Sequence, residues 1–401
     1  MRIGIDARFY GSLGKGLGRY TEKLIEHLES LDQENDYVVF LRRENFSEYT
    51  PKNPRFRKME AQYAWYGFAE QTLFVSLLYR EHLDLVHFPH FNVPLLYGKK
   101  FVVTIHDLIL VHYPTLRNTT RFPWLYWIKF AVYRMVIASA VYRAAHIITV
   151  SHFTERDIAK HYPIASSKMT VTYEAADLFC QVSPPKKEEE LFERLGLLSG
   201  ERSSIKTLSY RDIIQPYFLY VGNAYPHKNL SILFACAKVF PKHKLVLVGR
   251  EDFFYARLKA EAETLGIKNV IFAGFRSDQE LSSLYRFARI YVFPSLYEGF
   301  GLPPLEAMAC GAPVVASDRG SLPEILGDAA LYFDPTSEKE LVQAMQTAEG
   351  DLHLKEVLRE KGYRQAAKFH FRDMAAATYQ VYQRVLKNKT LPHATLSSTE
   401  K

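Results

Sequence analysis

The chain has 401 residues, more than one hydrophobic core ordinarily serves, so two domains with a cleft between them are expected. Apolar residues make up 48% and charged residues 24%, which excludes a disordered or fibrous chain, while the net charge of +7 suits an anionic partner such as a phosphate, nucleic acid or acidic lipid. Cys180, Cys236 and Cys310 lie too far apart for a disulfide framework or a cysteine zinc site and fit a reducing cytosol.

The start of the chain, Met1-Arg-Ile-Gly-Ile-Asp-Ala, reads as a short buried strand. A signal peptide needs a longer apolar run, so export is not expected and a cytoplasmic location is. Gly14, Gly16 and Gly18, interleaved with Lys15 and Arg19, form a loop ahead of a helix from about Tyr20 to Leu28, and such a loop can approach a phosphate or an acceptor. Its spacing is not that of the dinucleotide fingerprint, and a plain turn is the alternative. Strands are predicted over Arg2–Asp6, Tyr37–Leu41, Leu85–Phe88, Phe101–Ile105 and Ile147–Val150, with helix-length stretches between them. His87 and His90 lie at the end of the third strand. His106 and Asp107 follow the fourth, at the carboxyl edge where chemistry gathers in a parallel sheet.

The segment Phe122–Ala145 interleaves Trp124, Tyr126, Trp127, Phe130, Tyr133 and Tyr142 with Lys129, Arg134 and Arg143. These charges interrupt it too often for a span of about 20 apolar residues. It is read first as a core helix and second as a helix on an anionic membrane surface. Between Val182 and Pro216 come Pro184-Pro185, the charge run Lys186–Glu190 and the polar stretch Ser199–Lys206, the marks of a connection between domains.

A second strand series follows, over Tyr217–Gly222, Lys244–Gly249, Val270–Ala273, Ile290–Phe293, Pro313–Ser317 and Ala330–Phe333. The expected fold is therefore α/β, two tandem Rossmann-like domains facing a central cleft. The domains are 1–183 and 216–372, joined by a linker at 184–215. Residues 373–401 form a last helix that packs back on the first domain, and then a polar tail.

Arg289–Gly311 reads as strand, loop and helix, with Gly299 and Gly301 in the loop and Pro303 at the helix start. A helix N-terminus carries about half a positive charge and unpaired amides, so this turn is an anion site that needs no basic residue. Glu298 before the turn and Glu306 within the helix can each accept the two hydroxyls of a sugar diol. A helix-dipole preference alone would account for Glu306 but not for the pair with its glycines.

At this point the sequence resembles glycosyltransferase family 4, retaining enzymes of GT-B fold marked by two glutamates with seven residues between them in such a turn. The motif stands here as Glu298-Gly-Phe-Gly-Leu-Pro-Pro-Leu-Glu306. The likeness continues through Tyr220-Val-Gly-Asn-Ala-Tyr-Pro-His-Lys-Asn-Leu230, Phe272-Ala-Gly274, Thr104-Ile-His-Asp-Leu108 and Gly16-Leu-Gly-Arg-Tyr20, over nearly the whole chain. The resemblance implies that Glu298 contacts the donor sugar and Glu306 the ribose. The backbone of Phe300, Gly301 and Leu302 would meet the distal phosphate, and His106 would hydrogen-bond the donor hexose. Lys228 matches the family's phosphate-binding lysine, and Gly274 and Phe275 the site where backbone groups read the base. The arginine that often accompanies that lysine is replaced by Asn223, with Arg250 only a weak substitute. Gly16 and Gly18 join the donor side; His87, His90 and Asp107 are assigned to the acceptor side.

No Asp-x-Asp pair follows a strand, so no essential metal and no cofactor are expected, the nucleotide sugar being a substrate. The implied reaction retains anomeric configuration and has no dedicated protein nucleophile, the departing diphosphate taking the acceptor's proton. GDP-mannose is the expected donor and a saccharide or lipid-linked saccharide the expected acceptor, as in polysaccharide or lipopolysaccharide assembly. The competing readings are a nucleotide-sugar epimerase of similar fold and a non-catalytic nucleotide-sugar-binding protein; no nucleic-acid motif is present.

Overall fold

The computed structural model describes residues 1–114, 123–176, 180, 183–198 and 213–387. The polar stretch Ser199–Lys206 and the tail from Asn388 lie outside the described residues, as do the side chains of Trp124, Tyr126 and Lys129.

The first sheet is wholly parallel. It comprises β1 (Arg2–Asp6), β2 (Asp36–Leu41), β3 (Phe56–Glu60), β4 (Leu85–Phe88), β5 (Phe101–Ile105), β6 (His146–Thr149) and β7 (Met169–Val171), in the order β3-β2-β1-β4-β5-β6-β7. The second is also parallel, with β8 (Tyr217–Val221), β9 (Lys244–Val248), β10 (Val270–Gly274), β11 (Ile290–Phe293), β12 (Val314–Ser317) and β13 (Ala330–Phe333) in the order β10-β9-β8-β11-β12-β13. Helices cover both faces, so the central strands are buried throughout; every residue of β4, β5, β8 and β11 is buried. Strand order reverses beside β1 in one sheet and beside β8 in the other, and those switch points open crevices at the carboxyl ends of the strands.

Two strands and one helix were not expected. β3 and β7 are the edges of the first sheet, where one side needs no apolar cover, so Arg57, Lys58 and Glu60 blur the strand pattern. The predicted linker begins with a helix, Pro185–Arg194, that belongs to the second domain. Pro185 sits in its first turn, where its missing N–H is harmless, Leu191 and Phe192 are buried, and Arg286 pairs with the buried Glu188.

The helix Phe371–Lys387 crosses back and packs against the helix Lys15–Leu31. This corrects the reading of His87 as an acceptor-side residue. His87 is fully buried, its Nδ1 2.6 Å from the Tyr382 hydroxyl and its Nε2 2.8 Å from Thr104 Oγ1, and burial pushes its pKa down to about 3. Tyr382→Phe would leave Nδ1 buried without that partner and is expected to destabilise the protein by about 1–3 kcal/mol, read as a fall in Tm.

Candidate active site

The turn after β11 is built by local stereochemistry and clamped by two neighbours. Gly301 caps the helix Leu302–Ala309 at φ 98°, a conformation open mainly to glycine, and Pro303 and Pro304 fill the first turn. The first amides of that helix have no intrahelical acceptor. From the same domain, the Ser321 amide donates to the Glu298 carbonyl (3.2 Å) and the Ser321 hydroxyl to the Phe300 carbonyl (2.8 Å). From the first domain, the backbone after β5 presses so close that a Cβ on Gly299 would lie 2.0 Å from the His106 carbonyl oxygen. The Ser151 hydroxyl donates to the Gly299 carbonyl (2.6 Å).

Further contacts hold the domains face to face. Glu324 accepts from the amides of His152 (2.7 Å) and Phe153 (2.8 Å), so an acid of the second domain covers the N-terminus of the helix His152–His161. The Tyr297 hydroxyl donates to Asp157 Oδ2 (2.5 Å), and His112 Nε2 lies 2.8 Å from the same oxygen. Among the described residues, His112, Asp157 and His161 form the group whose ligand atoms, all within 4.8 Å, could hold a metal ion. Asp157 is already engaged there by tyrosine and histidine.

Two carboxylates each meet a cation in the cleft. Lys228 Nζ lies 2.5 Å from Glu298 Oε1, with both side chains close to nine-tenths buried. The loop that carries Lys228 is pinned by Asn229 in the left-handed region, whose side-chain amide donates to the carbonyls of Pro294 and Pro335. Deeper in, Glu306 Oε1 is 3.0 Å from Arg19 Nη1, an ion pair that crosses from one domain to the other.

Burial lifts the Glu306 carboxyl to about 7, with Arg19 pulling the other way. An unfolded glutamate titrates near about 4.3, so between these values the folded protein holds a proton the unfolded chain has lost. Ionising Glu306 in the fold therefore lowers stability as pH rises across that window, and the effect is complete above about pH 7. Thermal unfolding should show Glu306→Gln gaining Tm on the wild type from pH 5 to pH 7, then holding level.

His106 is held between two acceptors, Nδ1 2.8 Å from Glu174 Oε1 and Nε2 3.0 Å from the Pro89 carbonyl oxygen, with Tyr20 edge-on to its ring. Burial works against its charge, but the Glu174 carboxylate and the Pro89 carbonyl outweigh it and raise its pKa. A hexose contact would therefore have to replace the Pro89 bond. Asp107 faces the same centre; burial raises its carboxyl pKa, as does the charge of Glu298, while the Ile109 amide and Lys228 oppose. His90 packs with its ring tilted against Phe9 and Phe91, and burial lowers its pKa to about 3.

The remaining predicted donor residues divide by what constrains them. Asn223 organises its own loop, its Oδ1 accepting from the Tyr225 amide (3.2 Å) and its carbonyl from the Tyr220 hydroxyl (2.8 Å). Gly274, at φ 68°, lines a cavity of about 100 Å³ with Gly249, Tyr255 and Lys259, and Phe275 beyond it is exposed. Gly18 is required by packing within its own domain, since a Cβ there would meet the Gly11 carbonyl oxygen at 2.0 Å. A Cβ on Gly16 would meet nothing within 4 Å. Phe300 and Leu302 lie on either side of the capping Gly301. Missed in the sequence were Glu174, Ser151, Asp157, Tyr297 and Glu324, which meet their partners only across the fold. Ser151 alone carried a local signal, as a serine N-cap three residues before Thr154.

Two facing parallel sheets with the donor-type turn in their cleft are the GT-B architecture of sugar-transferring enzymes. A family model described as Glycosyltransferase Family 4 matches residues 14–178, and one described as Glycosyl transferases group 1 matches residues 212–365. The chain is 30% identical over 308 residues to the O-antigen chain mannosyltransferase RfbU of Salmonella typhimurium, covering 76% of this chain and 75% of that protein. It is 27% identical over 315 residues to the O-antigen chain mannosyltransferase B of Escherichia coli, with the same coverage. In fold it matches sucrose-phosphate synthase of Thermosynechococcus elongatus with a TM-score of 0.73 at 21% identity, over 97% of this chain and 100% of that one. The chain belongs to glycosyltransferase family 4 and is a glycosyltransferase that uses a nucleotide-sugar donor. Among the described residues no helix is long and apolar enough to cross a membrane.

Proposed function

We propose that the protein transfers mannose from GDP-mannose to a saccharide or lipid-linked saccharide acceptor, with retention of configuration and without a metal ion. The observation that carries this reading is the pairing of Lys228 with Glu298 beside the open helix end at Leu302, in a chain related to O-antigen mannosyltransferases.

In this reading the donor enters between the paired groups. Glu298 takes hydroxyls of the hexose and Glu306 those of the ribose. Lys228 and the amides near Phe300, Gly301 and Leu302 hold the diphosphate as the glycosidic bond breaks. A phosphate oxygen on the leaving side accepts the proton of the incoming acceptor hydroxyl, so the new bond forms on the face the diphosphate vacates. Asp107, on the first-domain side of the same centre, orients the acceptor. His106, fixed by Glu174 and with its pKa raised by that carboxylate, stands beside the reacting centre, where it meets the hexose.

Assay of GDP-mannose, UDP-glucose and ADP-glucose with a lipid-linked saccharide acceptor tests the donor, and NMR of the product gives its anomer. Transfer of α-mannose, undiminished by EDTA, is expected. Preference for another donor, an inverted product or loss of activity with EDTA would each overturn the corresponding part.

The helix Pro123–Arg143 supports a peripheral membrane contact as part of this reading. Val136, Ile137, Ala140 and Val141 are buried in the core, whereas Trp127, Ile128, Val132 and Met135 are exposed toward its start. Sedimentation with anionic vesicles should carry the protein down, and Trp127→Ser with Ile128→Ser should release it.

A further inference from the structure

Among the described residues, Arg19 is a cation at the cleft in the first domain to which the chemistry above gives no role. The helix Lys15–Leu31 begins earlier than the sequence suggested and takes in Gly16 and Gly18, which were expected in a loop. Arg19 stands in its second turn, with Nη1 3.0 Å from Glu306 Oε1. That carboxylate is the group assigned to the ribose, so a bound nucleoside would compete for the oxygen that now holds Arg19.

The charges in the cleft make the same point. A nucleoside diphosphate sugar carries two negative charges on its diphosphate, and Lys228 can neutralise one of them. Asn223 brings none, being turned inward to cap its own loop. Glu306 holds Arg19 in a site where burial works against the carboxylate's charge, so the ion pair is readily exchanged for a more anionic partner. A guanidinium presents two parallel N–H donors, which match two oxygens of a phosphate. Arg19 also keeps a quarter of its side-chain surface exposed.

We propose that Arg19 is a donor-phosphate-binding residue, whose guanidinium leaves Glu306 for the ribose-linked phosphate when the ribose takes Glu306. The proposal rests on the mannosyl-transfer reading for the position of the ribose. Because Arg19 belongs to the first domain and the diphosphate to the second, the exchange ties closure of the cleft to the presence of donor. The arginine missing at position 223 is thereby supplied from the opposite domain.

Calorimetric titration of GDP, GMP and guanosine into wild type, Arg19→Met and Arg19→Lys tests this. Arg19→Met should weaken GDP and GMP about 10- to 100-fold while guanosine binds as well as to wild type or better, and Arg19→Lys should recover part of the loss. If Arg19 were merely a strut between the domains, guanosine and GDP would weaken together, and equal losses for the two would overturn the proposal. Unchanged GDP affinity in Arg19→Met would also overturn it while leaving mannosyl transfer intact. Failure of wild type to bind any guanine nucleotide would sink the reading of function and this proposal with it.

Discussion

Replacing Lys228 by alanine is expected to lower kcat by about 10²–10³, the effect of removing one preorganised donor from a developing negative charge. Lys228 and Glu298 are in contact at 2.5 Å and nearly closed to water, so the lysine does two things. It fixes the carboxylate that orients the hexose, and it stands where the leaving diphosphate gathers charge. Because that charge grows as the bond breaks, the loss should fall on kcat more than on donor KM. Glu298→Ala removes the other half of the pair and should fall into the same range. Steady-state kinetics with a circular dichroism control measures both, and near-normal turnover would remove Lys228 from the mechanism.

Gly299→Ala is expected to reduce activity by about 10², by a different physical route. The added methyl would lie 2.0 Å from the His106 carbonyl oxygen and 3.0 Å from Asp107 Cβ, and the nearest atom is backbone rather than the end of a flexible side chain. Something must shift, and the boundary between domains is softer than either core. The turn at 298–301 and the His106–Asp107 loop would separate, and the Ser151 bond to Gly299 would stretch with them. A misplacement of about 1 Å in a reacting site can cost about 10² in rate. The two sheets keep their own cores, so Tm should fall only modestly, and kinetics together with a melting curve separates the two effects. Full activity in this variant would show that the observed closure is not the reactive one.

The strands were legible because buried parallel strands are short runs such as Phe101-Val-Val-Thr-Ile105, bounded by polar or glycine-rich segments. The edge strands β3 and β7 escaped for the complementary reason, since an edge tolerates polar residues on its open side. Pro185 and the apolar pair Leu191 and Phe192 were local signs of a helix, but the charge run around them masked it. His87 misled because a histidine at a strand end looks the same in sequence whether it faces the cleft or, as here, a returning helix.

The sequence by itself determined the donor turn, because its parts are constrained locally. Gly301 must adopt φ 98°, Pro303 suits a helix start, and the spacing of Glu298 and Glu306 sets both on one loop and helix. Only the tertiary structure decided which charges meet. Lys228 and Glu298 are 70 residues apart, His106 and Glu174 are 68, and Arg19 and Glu306 are 287. No rule of residue spacing reaches that far. Those pairings follow from burying two sheets against each other, which brings their carboxyl edges, and the charges on them, into one cleft.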